Sequence, residues 1–217
     1  MKKLKAFTLV EVIIVLTTFS LIIVLIVTAV TSYKKYLDLS KLQTIALNFT
    51  REGVEAMFQI RDTNWLQHQW SKDKYIFCND PFSCSSTNLN KFSTGYYAIV
   101  STINSGQQSF YATGKIWNTN EIKPFYDDFA KTLRDGEWAT TLIDPFKIPL
   151  ATGEEILGQH ADFYRFVKVD GIFCKNDKCS QDSDPKELEF CVKTVFLWHD
   201  ASVGESEICS VLTNFLQ

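Results

Sequence analysis

The N-terminal part of the sequence lacks the residues that would interrupt a long apolar helix. No proline precedes Pro81, and no charged residue lies between Glu11 and Lys34. Proline removes a helical hydrogen bond and clashes with the preceding turn, so its absence permits one unbroken helix. The uncharged run covers residues 12–33, 22 residues in all, and as a helix it spans about 33 Å, enough for a hydrocarbon core of roughly 30 Å. The chain is therefore predicted to begin as a membrane anchor.

The sequence also lacks the usual signs of catalysis. Its three histidines, His68, His160 and His199, are far apart, and no G-x-S-x-G, H-E-x-x-H, Walker or Gly-rich dinucleotide motif is present. Asp127 and Asp128 are adjacent and point in different directions on a helix or strand, which is typical of solvated charge. We therefore expect neither an enzyme nor a bound cofactor.

The start of the apolar run carries a more specific signal. A short lysine-rich leader precedes the run, and a single carboxylate, Glu11, interrupts it. A carboxylate within a membrane is costly and requires a partner, unless it lies at the interface, where that cost shrinks. The run Lys5-Ala6-Phe7-Thr8-Leu9-Val10-Glu11 resembles the type III signal of prepilins, the precursors of type IV pilins and of type II secretion pseudopilins.

This resemblance implies a processing site and an assembly residue. A prepilin peptidase on the cytoplasmic side would cleave the bond between Ala6 and Phe7 and methylate the new amine of Phe7. Glu11 would then be the fifth residue and would pair with the terminal amine of a neighbouring subunit, which sets the axial register. A buried ammonium and carboxylate compensate each other only when they meet. The sequence departs from the family at Ala6, where glycine is usual, and it has no proline within the apolar helix.

Charge and the distribution of cysteine indicate where the rest of the chain resides. Without the leader lysines, the chain has 19 Lys and Arg and 25 Asp and Glu, and its net charge is −6. This acidic charge argues against a nucleic-acid partner. Lysines flank both ends of the apolar run, so charge orients the span weakly. Six cysteines all lie beyond residue 77, and such a pattern suits an oxidising, extracytoplasmic compartment.

The pairing of these cysteines is open, since six cysteines allow 15 connectivities. Proximity favours three pairs: Cys78 with Cys84, Cys174 with Cys179, and Cys191 with Cys209. The alternatives are reduced thiols or a zinc site, although the spacings fit the usual C-x2-C knuckle poorly. The acidic loop at residues 176–184 offers oxygen atoms that suit calcium but lacks an EF-hand pattern, so we interpret it as a solvated turn and predict no metal site.

Beyond the membrane the helical pattern continues. Apolar or small residues recur at intervals of three and four on one face: Leu39, Leu42, Ala46, Phe49, Gly53, Ala56 and Ile60. One helix is predicted from about Thr8 into the low sixties, with a membrane helix followed by a separate amphipathic helix as the alternative. The predicted organisation is a leader (1–6), a transmembrane assembly helix (7–33), its amphipathic continuation (34–66) and a globular head (67–217).

The head is predicted to be an antiparallel β-sheet that packs on this helix, a pilin-like α+β fold. Runs rich in Val, Ile, Phe and Tyr predict strands at 95–102, 108–117, 163–174, 188–198 and 208–215. A short helix is predicted near residues 125–133. The last three strands are expected to form a meander.

The resemblance predicts a structural subunit of a pilus-like or secretion-like filament. The expected partners are other pilin subunits, prepilin peptidase, an inner-membrane assembly platform and, before assembly, membrane lipid. The subunit would span the cytoplasmic membrane once, with the head outside, and would become extracellular in the filament. Two alternatives remain: a minor pilin or pseudopilin at a filament tip that serves adhesion, secretion or DNA uptake, and a signal-anchored extracytoplasmic enzyme.

Overall fold

A computed structural model describes residues 9–67, 92–104, 107–112, 119–129, 131–132, 144–148, 161–174, 177–178, 187–198 and 203–213. The helices are α1 (Leu9–Gln67), α2 (Thr119–Asp127) and a 3₁₀ turn (Asp144–Phe146). The strands are β1 (Gly95–Tyr97), β2 (Ile99–Asn104), β3 (Gln107–Ala112), β4 (Asp162–Cys174), β5 (Asp177–Lys178), β6 (Glu187–Leu197) and β7 (Val203–Thr213). The chain divides into two compact units, Met1–Lys41 and Leu42–Gln217.

Helix α1 is a single helix of 59 residues. The continuous helix predicted from the sequence is therefore confirmed, and the alternative of two separate helices is not what the structure shows. From Leu42 onwards one face of α1 is buried, and that face is the predicted one. Five of its members are buried: Leu42, Ala46, Gly53, Ala56 and Ile60. Leu39 and Phe49, at the same spacing, are half-buried.

The second unit is built on one antiparallel sheet with the strand order β1-β4-β6-β7. Strand β5 pairs with the end of β4, and β2 and β3 form a separate two-stranded ladder. Strands β4, β6 and β7 make the predicted meander, in which each strand pairs with the next over 11 residue positions. A long N-terminal helix packed on this sheet gives an α+β arrangement that is consistent with a pilin-like fold.

Both faces of the sheet are covered, one by the C-terminal part of α1 and the other by α2. Successive side chains of a strand point to opposite faces, so Val167 of β4 packs with Met57 of α1, whereas Phe166 packs with Tyr126 of α2. Because each face has its own apolar cluster, the central residues of β6, from 192 to 196, are all buried.

Three predicted elements differ from the observed ones. The run at 95–102 is two strands, because Gly95–Tyr97 pairs with β4 while Ile99 begins a ladder with β3. Strand β7 begins at Val203 instead of 208, since pairing with β6 extends through a Gly- and Glu-containing segment of low strand propensity. Helix α2 begins at Thr119, before Pro124, although helical backbone bonds do continue to Thr132.

A buried arginine connects α1 to the sheet. Arg165 of β4 donates from Nη1 to the backbone oxygen of Phe49 at 3.3 Å, and the same nitrogen lies 3.6 Å from Oε1 of Glu52. Burial lowers the pKa of Arg165, while the Glu52 carboxylate acts to raise it. The guanidinium thereby donates to a carbonyl and pairs with a carboxylate of one turn of α1, which fixes that turn against β4.

At Gly53, α1 lies close against side chains of the sheet. A Cβ atom there would lie 2.7 Å from Cγ1 of Val192 and 2.9 Å from Cδ of Arg165. Since Val192 is fully buried, it has no space to move away. We expect Gly53→Val to lower the free energy of unfolding by about 1–3 kcal/mol, the usual cost of overpacking a core, as measured by urea denaturation.

The matched control is Gln59→Val, which places the same β-branched residue at an exposed position of the same helix. This variant introduces valine without the steric contact, at a cost in helix propensity of at most about 0.7 kcal/mol. At position 53 valine replaces glycine, a poorer helix former, so helix propensity does not account for a loss of stability there. Equal destabilisation by the two variants would show that the close contact at Gly53 contributes nothing.

Candidate functional site: the apolar segment of the N-terminal helix

The first candidate site is the apolar segment, residues 12–33 of α1. An 18-residue window of this helix has a mean hydropathy of 2.9, and none of that window is buried. Large side chains are exposed on every side of the helix, among them Phe19 at 61% and Leu25 at 67%. Such a surface is stable only in an apolar environment. The helix is long and apolar enough to cross a membrane.

Five hydroxyl groups of the apolar segment bond to their own helix. The hydroxyls of Thr17 and Thr18 donate to the backbone oxygen of Ile14, each at 2.9 Å, and that of Ser20 donates to Leu16 at 2.8 Å. Thr28 and Thr31 donate to backbone oxygens one turn earlier in the same way. In hydrocarbon every polar group needs an internal partner, and these hydroxyls have one.

Glu11 lies in the first turn of α1, where its side chain is exposed. It directly precedes the apolar segment, which begins at Val12. The predicted cleavage and methylation residues, Ala6 and Phe7, lie outside the described residues, and so does the leader.

Of the predicted cysteine pairs, the structure places one. Cys191 of β6 and Cys209 of β7 are directly opposite in the ladder and form a disulfide with a Cα–Cα distance of 4.0 Å. This confirms the pairing that proximity favoured near the C-terminus. Cys174 is the last residue of β4, whereas Cys78, Cys84 and Cys179 lie outside the described residues, so the other two pairs remain predictions.

One group of potential metal ligands occurs in the described part of the chain: Cys191, Cys209 and Glu207. Because the two sulfur atoms are bonded to each other, they are not available as thiolate ligands. All three histidines lie outside the described residues. So does the acidic loop at 176–184, apart from Asp177 and Lys178, whose backbone forms β5.

A second cluster of functional groups lies on the face of the sheet that α2 covers, and sequence reasoning missed it. Lys193 of β6 is buried, and its Nζ donates to the backbone oxygen of Tyr126 and pairs with Glu205 of β7, each at 2.7 Å. Its ammonium also lies 5.1 Å from the centre of the Tyr126 ring. The sequence carries no signal for this role, since a lysine in an alternating strand is ordinarily exposed.

Tyr126 connects this cluster to the edge strand. Its hydroxyl donates to Oε1 of Glu207 on β7. Burial and the neighbouring Glu207 carboxylate raise the pKa of Tyr126, so its hydroxyl remains a proton donor. Lys193 and Tyr126 together hold α2 against β6 and β7 through neutral and charged contacts. These contacts join α2 to the two strands and give the cluster a structural role.

Comparison with known proteins returned no relative. No protein-family model, curated protein or solved structure matches this chain.

Proposed function

We propose that this protein is a structural subunit of a type IV pilus-like or type II secretion-like filament. The observation that carries the proposal is the apolar segment, which is exposed along its length and begins directly after a single carboxylate, Glu11. The leader sequence that precedes it and the helix-on-sheet head that follows it support the same proposal.

The apolar segment must stay out of water, and this requirement favours assembly. Removing apolar surface from water stabilises a protein by about 25 cal/mol per Å², so a helix exposed in this way cannot leave lipid unless other surfaces cover it. Copies of the same helix provide such cover when they bundle at the centre of a filament. The subunit then passes from lipid to protein surroundings without exposing the segment to water.

The proposed cycle also assigns partners and location. The precursor is inserted in the cytoplasmic membrane with its head outside, where the Cys191–Cys209 disulfide is compatible with oxidising conditions. Prepilin peptidase removes residues 1–6 and methylates Phe7. Glu11 then pairs with the Phe7 amine of a neighbouring subunit as the assembly platform adds the subunit to an extracellular filament.

The test of this proposal is the N-terminus of the protein recovered from cells. We expect N-terminal sequencing and intact mass to give a chain that begins at N-methylated Phe7.

We also expect Ala6→Gly to be cleaved at least as fast as the native chain, because glycine is the residue that the resemblance places before the cut. The cleaved fraction over time, followed by intact mass, measures this.

The control for that substitution is Ala29→Gly, the same change within the apolar segment, which should leave the cleavage rate unchanged. A chain that still starts at Met1, in cells that process other prepilins, contradicts the proposal. Slower cleavage of Ala6→Gly would show that the cleaved bond lies elsewhere.

A further inference from the structure

The end of the apolar segment carries a ring of amphipathic side chains. Four consecutive residues of α1, Tyr33, Lys34, Lys35 and Tyr36, follow one another directly, and all four are exposed. Tyr33 is 63% exposed and Tyr36 is 68% exposed. Consecutive residues of a helix are displaced by about 100°, so four of them surround most of its circumference. We call these four residues the interfacial ring.

The chemistry of the interfacial ring matches the boundary between lipid and water. Tyrosine favours the headgroup level of a membrane because its ring is apolar and its hydroxyl is polar. Lysine extends its alkyl chain along apolar surface and keeps its ammonium in water, where it attracts phosphate groups. In the interfacial ring two tyrosines flank two lysines, and no acidic residue follows before Asp38.

The distance between Glu11 and the interfacial ring matches the thickness of a membrane. Glu11 and Lys34 are 23 residues apart, which is about 35 Å along a helix, only slightly more than a hydrocarbon core of roughly 30 Å. A shift of the helix in either direction by more than a few Å draws one charged end into hydrocarbon. Only one depth of the helix in the membrane keeps both charged ends out of the hydrocarbon.

We propose that the interfacial ring binds phospholipid headgroups and thereby fixes the depth of α1, so that Glu11 lies at the opposite membrane interface before assembly. This inference rests on the membrane insertion that is part of the proposed function. It adds that Glu11 is hydrated and accessible before pairing, instead of being buried in hydrocarbon. The carboxylate therefore enters apolar surroundings only when it meets its partner.

The test measures the depth of one added tryptophan at a time in the full chain. The chain is reconstituted in phosphatidylcholine and phosphatidylglycerol vesicles whose acyl chains carry bromine at a known depth, and quenching is compared with that of the parent chain. The five native tryptophans all lie at or beyond Trp65. We expect Tyr36→Trp to be quenched most by bromine near the headgroups and Ile22→Trp to be quenched most by bromine near the bilayer centre.

The same reporter tests whether the lysines set the depth. Lys34→Leu with Lys35→Leu extends the uncharged run to residue 37, four residues further, so the Tyr36→Trp reporter is expected to move inward by up to about 6 Å. Lys41→Leu is the matched control, since it removes an exposed lysine of the same helix outside the ring. It should leave the reporter in place.

The outcomes separate this inference from the proposed function. Quenching of Ile22→Trp by deep bromine, together with an unchanged reporter depth in the double lysine variant, overturns the role of the ring and leaves membrane insertion intact. Equal depths for Tyr36→Trp and Ile22→Trp overturn it as well. Absence of any quenching of Ile22→Trp shows that α1 does not insert, which overturns both the ring and the membrane stage of the proposed function.

Discussion

Replacing Glu11 by alanine is expected to leave the protein in the membrane and to remove it from filaments. In the proposed filament the Phe7 amine of each subunit is buried against the Glu11 carboxylate of a neighbour. Removing one partner of a buried ion pair typically costs about 3–5 kcal/mol, because the other charge is left uncompensated. At 1.4 kcal/mol per factor of ten, incorporation should fall by about 10²-fold or more. The ratio of sheared-filament protein to membrane protein measures this.

Two further variants isolate the charge. Glu11→Gln keeps the shape of the side chain and should be as defective as Glu11→Ala. Thr17→Ala changes a polar residue of the same helix whose hydroxyl donates to the backbone oxygen of Ile14, so it should assemble normally. Membrane extraction and formation of the Cys191–Cys209 disulfide should be unaffected in all three. Normal incorporation of Glu11→Ala would remove the pairing mechanism.

Removing the Cys191–Cys209 disulfide is expected to have the largest effect on the stability of the head. The bond joins residues 18 apart in sequence, and closing a loop of that size constrains the unfolded chain by about 3 kcal/mol. It also fixes β7, which in the described part of the sheet pairs on one side only. The double variant Cys191→Ala, Cys209→Ala should therefore lose about 3 kcal/mol in urea denaturation.

The control for the disulfide is a second directly opposed pair of the same two strands, Glu187 and Thr213. Changing both of these residues to alanine removes a cross-strand pair without a covalent bond, and such pairs contribute about 0.2–1 kcal/mol. If the cysteine variant lost no more than this control, the ladder and the contacts of Lys193 and Tyr126 would suffice to hold β7 in place.

The sequence predicted those elements whose signal is local and repeated. The buried face of α1 could be read from residue spacing, because a helix returns to the same side every 3.6 residues. The meander of β4, β6 and β7 was predicted from runs of β-branched and aromatic residues, and the pairing of Cys191 with Cys209 followed from their proximity at neighbouring strands.

The errors occurred where a partner elsewhere in the chain decides the structure. The segment that begins at Gly95 divides into two strands because its parts pair with different partners. Strand β1 pairs with β4, and β2 pairs with β3. The first residues of β7 have low strand propensity, but they adopt strand conformation because they pair with β6. Neither partner can be identified from the residues of the segment itself.

The sequence by itself determined the membrane-type character of α1, the single carboxylate at its start and the interfacial ring at its end. Composition suffices there, because a lipid environment responds to each side chain according to its own polarity. Only the tertiary structure decided that Arg165 and Lys193 are buried cations and that Gly53 must be glycine-sized. Burial depends on what packs over a residue, and α1 and α2 cover opposite faces of a sheet whose strands are distant from them in sequence.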